Sequence, residues 1–165
     1  MADDSNKAKL VGCVGAGCAI VLLTVVPQFE NTVYTTYVDP VGIVTACAGH
    51  TGAELKLGQK FTKEQCQAML EADLLKHAEP VLKCTPGLQG QTYRLAAAVS
   101  FAFNVGTTAY CTSNVAKAFN RRDYVAGCAA LSQWVHAGGK VLPGLVKRRK
   151  IERDMCEGKL EVPNV

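Results

Sequence analysis

The sequence predicts an α+β domain in which a small β lobe sits against a larger helical lobe, with an apolar segment leading into it. Three observations predict this. Residues 10–27 form eighteen consecutive positions without a charge. Residues 32–38 are β-branched and aromatic, break at Asp39-Pro40-Val41-Gly42 and resume with Ile43-Val44-Thr45, which reads as a β-hairpin. From residue 62 onward the apolar positions fall at helical spacing between recognisable caps. The 165 residues suffice for one domain with a real core, so the expected division is an N-terminal segment, 1–27, and a domain, 28–165.

As a helix, residues 10–27 would span roughly 27 Å, close to the thickness of a bilayer core. Gly12, Gly15, Ala16, Gly17 and Ala19 crowd the first half and contribute little transfer free energy, so insertion is marginal and reversible. Lys7 and Lys9 before the apolar run also suit a cleaved signal peptide. Leu23-Thr24-Val25-Val26-Pro27 nevertheless offers no small-x-small cleavage site, which favours an uncleaved segment.

Thr62-Lys63-Glu64-Gln65 is a capping box, followed at helical spacing by Cys66, Met69, Leu70 and Leu74, and the helix is expected to end near Pro80. Residues 91–103 are Ala-rich and apolar on most sides, as a buried central helix ended by Gly106 would be. Ser113 and Asp123 are N-caps for two short helices, and Pro143-Gly144 opens a charged last helix running to about Cys156. Four or five helices are thus expected after the β unit.

The net charge is +4, with no basic run interleaved with aromatic residues, so nucleic acid is not an expected partner. Eight cysteines without a C-x-x-C pair, and three histidines not spaced as ligands, disfavour zinc, and neither a metal nor a cofactor is expected. Disulfides in an oxidising compartment are the better reading, with inert buried thiols as the alternative.

Glu30, Asp39 after eight intervening residues and Thr45 after five more resemble the catalytic Glu-Asp-Thr triad of phage-type lysozymes, glycoside hydrolase family 24. The resemblance extends to Gly49-His50-Thr51-Gly52, to Phe101-Ala102-Phe103-Asn104-Val105-Gly106 and to the stretch from Trp134 through Arg148 and Arg149 to Arg153. Together these cover residues 28–156. The apolar start resembles the signal-arrest-release subgroup of that family, some of whose members replace the catalytic aspartate by cysteine. Asp39 is retained here, so that form of control does not carry over.

The resemblance implies a lysozyme-like fold and an N-acetylmuramidase that cuts the β-1,4 bond between N-acetylmuramic acid and N-acetylglucosamine for host lysis. Its expected substrate is the glycan of peptidoglycan, and its active form is expected to be a monomer. Such cleavage needs a proton donor and a group that stabilises the transition state or aims water. Glu30, beside Val25, Val26, Pro27 and Phe29, suits the acid, because partial desolvation favours the protonated carboxyl. Asp39, in a turn set by Pro40, and Thr45 on the next strand suit the positioning of water.

His50, Asn104 and Arg148 are candidates for the substrate side, although His50 equally suits a turn-closing role. Arg148 and Arg149 equally suit a solvated face or a pair with Glu30 or Glu152. Trp134 reads as core rather than as a sugar platform. Without the neighbouring motifs, Asp39-Pro40 would be an ordinary turn starter and Thr45 an ordinary strand residue.

The resemblance, more than spacing, suggests the pairs Cys47 with Cys66, Cys84 with Cys111 and Cys128 with Cys156. Sequence alone allows fifteen pairings of six cysteines. Cys13 and Cys18 point about 140° apart on a helix, so they cannot pair while the segment stays helical. After release they are candidates for regulation by bonding or exchange. The expected location is the periplasm of a bacterial host, first tethered to the inner membrane by residues 1–27 and then released. The rival reading is a membrane-tethered module that binds peptidoglycan without cutting it.

Overall fold

The computed structural model describes residues 3–160. Two helices open the chain, α1 (Asp3–Val14) and α2 (Ala16–Val25), followed by a 3₁₀ turn at Val26–Gln28. The apolar segment expected as one helix is therefore broken. Gly15 has φ +86°, a left-handed value that a side chain would resist, and the chain bends by 116° there. No single helix among the described residues is long and apolar enough to cross a membrane.

Leu10, Val14, Cys18, Ala19, Val21, Leu22, Val25 and Val26 are all buried in the same core as the rest of the helical lobe. In this conformation residues 10–26 share that core. The reason lies in composition: α2 carries no charge and few polar atoms, and a helix apolar all round is stable in water only when surrounded. It finds that surrounding against α4, while α1 packs along α3.

The β lobe comprises β1 (Val33–Val38), β2 (Val44–Cys47) and β3 (His50–Thr51), antiparallel in the order β1-β2-β3. The expected hairpin is present, with Val38 opposite Val44, and β3 extends it beyond what alternation revealed. Ala46, Cys47, Leu55 and Cys66 form a small second core under this sheet.

The long helix α3 (Lys63–Cys84) begins with the expected capping box: the Thr62 hydroxyl accepts from the Gln65 N–H, and the Gln65 side chain accepts from the Thr62 N–H. It does not stop at Pro80. The helix runs one turn further because Ala78 and Val81 are buried and Cys84 is bonded to Cys111, which together outweigh the backbone hydrogen bond that proline cannot make.

The central helix α4 (Thr92–Val105) buries every residue from Leu95 to Ala102 and ends at Gly106, which has φ +90°. Among the described residues six helices follow the β unit rather than four or five, because α5 (Thr107–Thr112) carries no cap signature of its own. Ser113 and Asp123 cap α6 (Asn114–Asn120) and α7 (Tyr124–Ala130) as expected. These two helices approach closely at Gly127, where a Cβ would run into the Phe119 ring.

A short hairpin of β4 (His136–Ala137) and β5 (Lys140–Val141) turns on Gly138 and Gly139, and α8 (Pro143–Cys156) closes the fold. Three disulfides, Cys47–Cys66, Cys84–Cys111 and Cys128–Cys156, tie β2 to α3, α3 to α5 and α7 to α8. Cys13 and Cys18 are free, and Cys18 is buried.

Candidate active site

Glu30 lies where the two lobes meet, two residues past the turn that ends the N-terminal helices. Two cavities share it. One, of about 530 Å³, is lined by Phe29, Glu30, Asn104, Leu145, Lys147 and Arg148 among others. The other, of about 340 Å³, is lined by Glu30, Gly49, Thr51, Asp73, Lys76 and Phe103 among others. Asn104 borders both, so Glu30 and Asn104 stand at the junction of an open cleft.

Helix α8 supplies the charged wall of the cleft. Arg148 Nη1 donates to Glu30 Oε1 at 2.7 Å, Nε to Glu152 Oε1 at 3.1 Å and Nη2 to the Ser100 carbonyl at 3.1 Å. Its guanidinium also stacks 4.6 Å from the centre of the Phe29 ring. Arg149 donates to Glu152, to Asn104 Oδ1 and to the Trp134 carbonyl, and it lies over Phe101. The Ser100 hydroxyl donates to Glu152 at 2.7 Å.

Two arginines thus face two carboxylates, with Glu152 completely buried and Arg148 nearly so. Burial pushes the Arg149 guanidinium below its ordinary range while Glu152 acts against that shift. A buried network of this kind holds because every charge finds a partner. Of the two roles the sequence leaves open for Arg148, a solvated face or a carboxylate pair, the tertiary structure takes the pair with Glu30, which keeps 24% side-chain exposure.

The other candidates are distributed differently. Asp39 Oδ1 accepts from the backbone N–H groups of Val41 and Ile43, each at 2.9 Å, and so fixes the turn between β1 and β2. Thr45 is on β2, buried, with its hydroxyl donating to the Ile43 carbonyl at 3.2 Å. Neither lines the two cavities that Glu30 borders.

His50 has both ring nitrogens engaged, Nδ1 with Asp73 and Nε2 with Glu54, each at 2.8 Å. Burial works against its charge, but the two carboxylates outweigh burial and raise its pKa. Among the substrate-side candidates, Asn104 and Arg148 line the cleft. His50 instead joins β3 to α3 beside it. Trp134 packs edge-on against Phe101 and belongs with the core.

Sequence reasoning passed over Ser100, Asp73 and Glu54. Ser100 is the one hydroxyl in the buried run of α4, a signal that was available; Asp73 and Glu54 look like ordinary surface carboxylates until the sheet folds onto α3.

A small sheet lobe, a larger helical lobe and a carboxylate at their junction define a lysozyme-like hydrolase. The Phage lysozyme family matches residues 27–152, and the chain belongs to it. The SAR-endolysin of Enterobacteria phage P21 is 38% identical over 127 residues, which cover 77% of this chain and 76% of that one. The endolysin from Escherichia coli O157:H7 phage FAHEc1 superposes with a TM-score of 0.75 at 29% identity, covering 86% of this chain and 94% of that one. The active form of the P1 phage endolysin Lyz shares the fold, with a TM-score of 0.75 at 21% identity over 98% of this chain and 96% of that one.

Proposed function

We propose that the protein hydrolyses the β-1,4 bond between N-acetylmuramic acid and N-acetylglucosamine in peptidoglycan, with Glu30 as general acid and Asp39 and Thr45 positioning the attacking water. The observation that carries this reading is Glu30 itself, held by Arg148 at the junction of two cavities between the lobes. Arg148 fixes where the carboxyl points, and a glycan filling the cleft would exclude water from it. Asp39 and Thr45 belong to the hairpin of the other lobe, and a water aimed by them would attack the face opposite the leaving oxygen, which inverts the sugar.

The same reading includes export to the periplasm and a stage in which the apolar segment is held in the inner membrane, with the released enzyme acting as a monomer. The continuity of α2 with the site supports it: Val25 leads through Val26–Gln28 directly into Phe29 and Glu30, both of which contact Arg148. Three residues reach only about 10 Å, so a membrane-held Pro27 would keep Glu30 near the bilayer and away from Arg148. Tethering thereby disables the site. In the structure described here the segment is packed, which is the arrangement expected of the released enzyme.

The test is turbidity loss of outer-membrane-permeabilised Gram-negative cells, with the purified full chain and its Glu30→Gln variant at matched folding. Clearing by the wild type alone supports the assignment. Equal clearing by both removes Glu30 from the acid role, and binding to cell walls without clearing by either identifies a non-catalytic module.

A further inference from the structure

Glu71 is 1% exposed, and its Oε2 has no hydrogen-bond partner among the described residues. Its other oxygen accepts from Gln67 Nε2 at 3.2 Å, one turn earlier on α3. No arginine, lysine or histidine forms an ion pair with it among the described residues. This contrasts with Glu152, equally buried, whose oxygens meet two arginines and a serine.

The face of α3 that carries Glu71 is the face that α1 covers. Asn6 of α1 donates to the Ala68 carbonyl at 3.4 Å, and Glu71 lies one turn beyond Ala68 on the same side of the helix. Further along, Cys13 of α1 lies close enough to Glu79 for that carboxylate to raise its thiol pKa, after the larger effect of burial. Helix α1 therefore runs along α3 from about Ala68 towards Glu79, with Glu71 between these marks.

We propose that Glu71 is a brake on the docking of the N-terminal helices: a carboxyl group solvated while α1 and α2 are away from the domain and left half-partnered when they fold onto it. An unsatisfied buried polar group costs free energy that an apolar side chain of similar size does not. Glu71 thus subtracts from the stability gained by burying Leu10, Val14 and Leu22, and weakens the preference for the docked arrangement. The regulatory part of this proposal, a slower departure from the membrane, rests on the tethered stage proposed above; the effect on docking does not.

The test compares wild type, Glu71→Gln and Glu71→Leu as full-length chains. In the purified proteins, amide hydrogen exchange is read residue by residue over α1 together with the melting temperature. Glu71→Leu is expected to slow exchange of the α1 amides by on the order of tenfold or more and to raise Tm, with Glu71→Gln in the same direction but weaker. Unchanged exchange in both variants, or a lower Tm in both, overturns the brake, since the carboxyl would then be neutral or used.

Membrane and soluble fractions of expressing cells are then followed over time. A wild type that leaves the membrane more slowly than Glu71→Leu supports the regulatory role. Equal release rates overturn that role. A wild type never found in the membrane overturns the tethered stage while the exchange result stands on its own.

Discussion

On the helical side of the cleft, Glu30 is held by Arg148 of α8, which is itself fixed by Glu152, by the Ser100 carbonyl of α4 and by stacking on Phe29, while the Ser100 hydroxyl ties Glu152 to α4. On the hairpin side, Asp39 and Thr45 are held by their own neighbours, Val41 and Ile43, within a few residues. The helical side is a buried, charge-balanced lattice; Asp39 and Thr45 sit on a local turn of a small lobe attached through a disulfide and a histidine. A lattice resists displacement because each group restrains several others, whereas a turn keeps its shape but is free to move as a unit. Glu30, the proposed acid, is thus placed by the core, and the groups proposed to position water are carried on the smaller lobe.

Removing the centre of the lattice should have the largest effect. Glu152→Ala leaves Arg148 and Arg149 buried without their shared partner, at an expected loss of ~3–5 kcal/mol. In a chain of this size that lowers Tm by roughly 10 °C, measurable by calorimetry. An unchanged Tm would mean that the wall holds its shape without charge pairing.

Untying the small lobe comes next. The double variant Cys47→Ser, Cys66→Ser opens a link of sequence separation 19 between β2 and α3, and should cost ~2–4 kcal/mol by urea titration. Because that link seats the lobe carrying Asp39, clearing activity should fall further than in a variant of equal stability altered at Cys84 and Cys111.

The second attachment of the lobe depends on pH. The folded-state pKa of His50 is raised by Asp73 and Glu54, so the charged imidazole stabilises the fold. This contribution is fully present below the unfolded-state value of about 6.5 and is lost as pH rises through the higher folded-state value. Stability curves of wild type and His50→Gln against pH should therefore be separated in acid and converge in alkali. Parallel curves would remove charge from the attachment.

The smallest effect on stability is expected at Asp39. Asp39→Asn keeps an oxygen for the Val41 and Ile43 N–H groups, so stability should change by no more than ~0.5 kcal/mol, while clearing activity falls by about 10²-fold or more. A large drop in Tm with activity retained would reduce Asp39 to a turn residue.

The same contrast explains what was legible in advance. The hairpin, the Thr62 capping box, the caps at Ser113 and Asp123 and the end of α4 at Gly106 are written within a few residues, because hydrogen bonds over that range depend on local side chains and backbone freedom. The spacing of Glu30, Asp39 and Thr45 was equally local, and it named candidates without showing how they are arranged. What only the tertiary structure decided is long-range: that Arg148 rather than Arg149 meets Glu30, that His50 turns both nitrogens to carboxylates, that α3 continues through Pro80 and that residues 10–26 fold back into the core. An apolar segment states only that it must leave water. Whether it does so in a bilayer or against α3 and α4 is set by the surface offered to it, and that surface exists only once the rest of the chain has folded.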